Sequence, residues 1–332
     1  MEGLFDGSGR QGATRPTRTG PSRTALSRAA ESLFWIGRYI ERSDGAAGIL
    51  DVHLQLLLED PWIDEDLACR SLLAVMGGTA PDGVQLSSRD VLEILAVNRS
   101  EPASIAHSLG AARENAKRAR EIVSSELWEC LNTTRARMPR KVASDKVHEF
   151  FAWVHERSAL AVGIIESATR RDDAWQFFTL GRSLERAELI ARLLSARSLT
   201  EEEGSSWTTI LRSCGAYEAY LRTYRGETSA RTAAEFLLLD RLFPRSILFS
   251  IRRAEVCVRD IEPRTDRAGS DAAQRLLGQL RSELENFPID DMLEDLPRQL
   301  DSVQLATAAA AEAIRQRYFP AEAAATRAGR RS

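Results

Sequence analysis

The side chains of this chain best suited to chemistry are arginines and glutamates set three and four residues apart. In LFWIGRYIERSDGAAGIL, Leu33 to Leu50, the residues Arg38, Glu41 and Arg42 stand together, and FFTLGRSLERAELIARLL, Phe177 to Leu194, carries the same set as Arg182, Glu185 and Arg186. The offset of 144 residues also matches Phe34 with Phe178, Gly37 with Gly181, Ala47 with Ala191 and, in kind, Asp44 with Glu188. An arginine fork donates two parallel hydrogen bonds to a carboxylate. Such a set could grip a carboxylate ligand, a peptide or a partner surface, or place a glutamate as acid or base beside a cationic stabiliser.

These residues need helices to gather them. At about 100° per residue, Leu33, Ile36, Ile40 and Ala47 fall on one side of the first stretch. Glu31, Trp35, Arg38 and Arg42 fall nearly opposite, with Phe34 and Glu41 beside them. Two readings follow. One is a solvated face laced by ion pairs along each helix, worth about 0.2–0.5 kcal/mol apiece. The other is a covered cluster in which the charges satisfy one another, and the aromatic Phe34 and Trp35 among the charges speak for it. Glycine inside a helix costs about 1 kcal/mol against alanine, so Gly37 and Gly181 at matching positions point to close approach by a helix or a ligand.

Other chemistry is sparse. There is no G-x-G-x-x-G, phosphate-loop, G-x-S-x-G or H-E-x-x-H pattern. Lysine occurs only at Lys117, Lys141 and Lys146, which confines any role that requires one. Of His53, His107, His148 and His155, only His148 has an acid at metal-ligand spacing, Asp145, so neither a metal nor another cofactor is expected and the catalytic residues are unknown. Cys69, Cys130, Cys214 and Cys257 are far apart and read as core thiols. Pro244 in FPRS reads as the first turn of a helix with the amides of Arg245 and Ser246 exposed, either a capped start or an anion site. Tyr217, Tyr220 and Tyr224 lie at helical spacing and read as core or interface.

The 332 residues carry a formal charge of −3, which gives no general pull toward nucleic acid or anionic lipid. With no apolar leader and no long apolar run, a cytoplasmic protein with no membrane association is expected. The periodicity predicts an all-α fold, a bundle of long helices with an internal repeat of the charged helix. Residues 1–25 read as a disordered arm and 321–332 as a disordered tail. The body, 26–320, divides into pseudo-halves of about 26–132 and 140–320, with the break at 133–141. Ser27 is the expected cap of the first helix, which ends near Glu59. Helices are expected near 66–76, 89–97, 104–132, 144–169, 172–197, 207–224, 271–285 and 296–318.

Five ordered stretches then carry a family resemblance: LSRAAESLFWIGRYIERSDGAA, ARENAKRAREIVSSELWECLN, LGRSLERAELIARLL, AYEAYLRTYRG and EFLLLDRLFPRSI. In this order they resemble the bacterial alpha-E domain family, from Leu26 to about Tyr318. The resemblance implies a helical domain encoded beside or fused to ATP-grasp amide ligases, often near a transglutaminase-like protein. Carried over by motif, the candidate substrate- or partner-binding residues are Glu31, Arg38, Glu41, Arg42, Arg113, Asn115, Glu126, Arg182, Glu185, Arg186 and Arg245. Asp44 stands where glutamate is common in the family. The expected function is an accessory or substrate-presenting module for an amide or peptide ligase. The alternatives are an enzyme using the Glu/Arg cluster on a peptide or amide, and a purely structural scaffold.

Overall fold

The computed structural model describes residues 23–80, 83–198, 206–225, 228–261, 272–286 and 288–319. The expected tail and all but the last three residues of the expected arm lie outside them. Among the described residues the chain is all-α, with no strand. Its helices are α1 (Arg23–Glu59), α2 (Glu65–Met76), α3 (Ser88–Val91), α4 (Ile105–Arg118), α5 (Ser125–Arg137), α6 (Val147–Ala168), α7 (Asp173–Ser198), α8 (Trp207–Ser213), α9 (Tyr217–Tyr224), α10 (Ala230–Leu239), α11 (Ile247–Ile261), α12 (Ala272–Asn286), α13 (Ile289–Glu294) and α14 (Leu296–Tyr318). A π-helical turn, Leu92–Val97, continues α3.

Three boundaries differ from the sequence reading, each for a local reason. α1 starts at Arg23, so Ser27 lies inside it and does not cap it. The stretch read as one helix over 104–132 is two, because Ser124 turns to extended backbone and its hydroxyl caps the amide of Leu127, starting α5, which runs on to Arg137. The stretch 207–224 is likewise broken, at Gly215, whose φ of +59° ends α8.

The axis of the molecule is α1 packed along α7, running in the same direction. Contacts advance together along both: Gly37 meets Phe178, Arg42 meets Glu185, and Gly45 meets Leu189. At the closest point the backbones touch. A Cβ on Gly37 would stand 2.1 Å from the carbonyl oxygen of Phe178, and one on Gly181 would stand 2.1 Å from that of Phe34. No other residue leaves that room. Ile36, Ile40, Ala47, Leu180, Leu184, Ala187 and Ala191, the predicted apolar stripes, are fully buried in the core.

Other helices gather around the two axial ones in matching order. α4 and α6 lie against α1, as α11 and α14 lie against α7, while α2 reaches across to α7 and α8 to α1. The turns entering α4 and α11 are built alike. Ser104 donates to the carbonyl of Asn98 and Ser246 to that of Asp240, both at 2.5 Å, and each serine also accepts the amide three residues on. Here too Pro244 departs from expectation: it lies before the cap, and the Ser246 amide is already bonded to Phe243. Tyr220 is fully buried, with its hydroxyl on Thr232 and its ring stacked on Tyr224, so this tyrosine is core.

Candidate functional site

The charged faces of α1 and α7 turn toward each other, and their hydrogen-bonded pairs run between the helices. Arg38 donates from Nε to Glu185 at 2.6 Å and from Nη2 to Glu188 at 2.5 Å. Arg42 forks onto the same Glu185, Nε at 2.6 Å and Nη2 at 3.0 Å. In the reverse direction Arg186 forks onto Glu41, Nε at 2.5 Å and Nη2 at 2.7 Å, while Arg182 reaches Glu41 through Nε at 3.2 Å. Each central carboxylate is therefore held by two arginines of the other helix. The side chain of Glu185 has no exposed surface and that of Glu41 only 6%. Of the two readings open in the sequence, the covered cluster is the one formed.

Burial by itself raises a carboxyl, and here the arginines outweigh it. The Glu185 carboxyl, desolvated but faced by Arg38 and Arg42, is held down to about 2. Burial likewise works against the charge of Glu41, and Arg186 and Arg182 bring it below the ordinary carboxylate value. A general acid or base needs a pKa near the working pH. Both glutamates are moved the other way, and their oxygens already accept arginine hydrogen bonds.

The two arginines that lead the sets differ. Burial disfavours the charge of Arg38, but Glu185 and Glu188 more than restore it, and its pKa is raised. For Arg182 burial wins, because Glu41 is shared with Arg186, and its pKa is lowered. The residue matching Glu188 is Asp44, one methylene shorter, and it turns elsewhere. Its carboxylate accepts from Arg245 Nη2 at 2.9 Å and contacts His155 Nδ1 at 2.8 Å. Arg245 thus joins the edge of the network through Asp44, with a further bond to the carbonyl of Cys214.

The remaining candidates lie apart from the crossing's ion pairs. Arg113 forks between Asn132 and Glu114 and lies 4.9 Å over the Trp128 ring. Asn115 is buried and donates to the carbonyl of Ala111 in its own helix. Glu126 is exposed in the first turn of α5, and Glu31 is half-buried on α1. Glu188, His155 and Arg253 are the participants that motif reasoning passed over. Glu188 was signalled by its match to Asp44; Arg253, in the run SIRRAE, had no signal until the fold placed it.

Beside the crossing is a cavity of about 330 Å³, lined by Glu166, Thr179, Arg182, Ser183, Arg186, Pro244, Phe249, Ser250 and Arg253. This volume falls at the lower end of small-molecule sites, about 300–1,000 Å³. A smaller void of about 30 Å³, between Glu41, Gly45, Arg186 and Arg245, is water-sized. Among the described residues no group of His, Cys, Asp or Glu could hold a metal ion, and no helix is long and apolar enough to cross a membrane. All four cysteines are buried and free.

Fold and site together define a helical domain whose axis is two helices pinned by reciprocal Glu–Arg pairs, Glu41 with Arg186 and Glu185 with Arg42. Residues 25–319 match the Alpha-E model, described as a predicted alpha-helical domain with a conserved ER motif, and the chain belongs to that family. It is also similar to uncharacterised proteins of Mycobacterium bovis and of two Mycobacterium tuberculosis strains, at 23% identity over 290 residues, covering 79% of this chain and 32% of each relative. The chain thus spans about a third of the length of these relatives. No solved structure matches it.

Proposed function

We propose that the chain is a binding module that works with an ATP-grasp-type amide ligase, holding or presenting a peptide or amino-acid substrate to it. The observation that carries this reading is the relation to the mycobacterial proteins, in which the matching region is about a third of a longer chain. A domain that recurs as part of something larger is one whose work is done beside another. The chemistry within the fold supports the same view. The ER pairs are spent on each other, their carboxyls are ionised and covered, and all three lysines, Lys117, Lys141 and Lys146, are exposed. The surface also offers a contact: Leu58, Trp62 and Leu67, close together in sequence at the α1–α2 turn, are left in water at 83%, 94% and 52% exposure. An indole that the fold leaves bare stabilises nothing within it and suits a partner's apolar surface.

The test is amino-acid-dependent ATP turnover by the neighbouring ATP-grasp protein, with and without this chain. The chain alone should not hydrolyse ATP. Added to the ligase it should bind and change the turnover, and Trp62→Ser should weaken that change while helicity is retained. ATP turnover by the chain alone overturns the module reading. A ligase that neither binds the chain nor responds to it points to a scaffold or another associate. Conversion of a peptide without ATP makes the chain an enzyme.

A further inference from the structure

We infer that the cavity on the α7 side of the crossing binds a small molecule through an anionic oxygen group, a carboxylate or a phosphate, held by Arg182, Arg253 and Thr179. The inference does not depend on a ligase partner. It rests first on unpaired donors. Arg182 uses only Nε on protein, and no described residue pairs with its two terminal nitrogens. Arg253 makes no hydrogen bond or ion pair among the described residues and rests its guanidinium 4.7 Å from the Trp175 ring. The hydroxyl of Thr179, a residue only 5% exposed, is buried without a partner. A buried donor left unmade is unfavourable, and these donors line one space.

Charge points the same way. Three guanidinium groups, those of Arg182, Arg186 and Arg253, line the space with one carboxylate, Glu166, while Arg171 and Glu41 pair with lining residues from outside it. Both acids are already taken, Glu41 by the two α7 arginines and Glu166 by Arg171 at 2.6 Å. The carboxylate that Arg38 finds in Glu188 has no counterpart for Arg182, and an anion in the cavity supplies one.

The matching face of α1 shows that the scaffold does not require a cavity here. Where α7 has Thr179 and Ser183, α1 has Trp35 and Tyr39, stacked with centroids 5.6 Å apart. His107 of α4 meets Tyr39 edge-on at 6.4 Å, and the position on α4 that matches Arg253 is Ala111. Arg38 and Arg42 each lie 5.7 Å from one of these rings. One side is filled by aromatic rings, and the other is emptied and given an additional arginine.

Isothermal titration of the full chain with inorganic phosphate and, separately, with succinate tests this, with sodium chloride at matched ionic strength as the control. At least one probe should bind saturably, and which one does so separates a phosphate site from a carboxylate site. Arg253→Gln, which removes a partly exposed side chain with no internal hydrogen-bond or ion-pair partner, should weaken that binding about tenfold or more, the loss of one charge-assisted hydrogen bond. The double variant Thr179→Trp, Ser183→Tyr should abolish it, with circular dichroism confirming the fold. If the double variant fails to fold, Arg253→Gln carries the test alone. No saturable binding of either probe, or an affinity unchanged by Arg253→Gln, overturns the inference.

Discussion

The two arginines that open the ER sets, Arg38 and Arg182, stand at matching points of matching helices and end in different surroundings. Arg38 has two carboxylates, Glu185 and Glu188, and a cover of Trp35. Arg182 shares one carboxylate with Arg186 and borders a cavity. The same backbone geometry therefore supports two uses of a buried charge. On the Arg38 side the charges are balanced within the protein, which holds the helices together. On the Arg182 side a charge is left over, and the protein keeps it because the surrounding network maintains the fold without it. A buried arginine with less than full compensation is the less stable choice, and it is the one expected where a ligand completes the site.

The comparison presumes a reciprocal crossing, and the largest predicted effect tests that presumption. Gly37→Ala and Gly181→Ala each place a methyl group 2.1 Å from a carbonyl oxygen of the facing backbone, which cannot rotate away. Each should destabilise the protein by about 4 kcal/mol or more, at the upper end of single-residue effects, and urea denaturation should show nearly equal losses. A large loss at one glycine with none at the other would break the reciprocity.

The next test sharpens the difference between the halves. Arg38→Ala leaves Glu188 without its 2.5 Å partner and Glu185 with Arg42 alone, so a loss of about 3–5 kcal/mol is expected for a broken buried pair. Arg182→Ala leaves Glu41 still gripped by both forks of Arg186, and about 1–2 kcal/mol is expected. Equal losses at the two positions would mean that Arg182 is as fully engaged as Arg38.

Much of this arrangement can be read in the sequence, and the part that cannot has a common cause. The ER sets, the two glycines and the apolar stripes repeat at a fixed offset along single helices, and such periodic information is one-dimensional. Partners across helices are not. Nothing in RSDGAA says that Asp44, a methylene shorter than Glu188, turns to Arg245 and His155 instead of an α7 arginine. The break at Ser124 was hidden because its surroundings are good helix formers and a capping serine looks like any other. The cavity was hidden for a subtler reason. It arises where the two copies disagree, Trp35 against Thr179 and Tyr39 against Ser183, and a search for agreement passes over those positions. The remaining site candidates Arg113, Asn115 and Glu126 belong to a separate motif on α4 and α5, whose placement only the fold supplies.

The last prediction concerns acid, and its sign follows from the direction in which Glu185 is moved. Its carboxyl is held at about 2 in the folded chain against an ordinary value of 4.5. Between those values the unfolded chain binds a proton that the folded one excludes, so stability falls as pH falls. The contribution is fully present above about pH 4.5, is lost progressively below it, and is gone once the folded carboxyl protonates near 2. A shift of this size corresponds to on the order of 3 kcal/mol, with the full loss seen only at the acid end. Glu185 should therefore add a decline in urea midpoint that sets in beneath about pH 4.5. Glu185→Gln removes the titrating group while leaving a side chain that still accepts from both arginines. That variant should begin less stable, because two guanidinium groups lose their charge partner, and should then lose less stability across the same acid interval. Parallel curves for the two proteins would mean that Glu185 titrates normally, and the charge balance assigned to the Arg38 side would fail with it. A flatter curve for the variant would place the acid sensitivity of the fold at the most deeply buried carboxylate of the crossing.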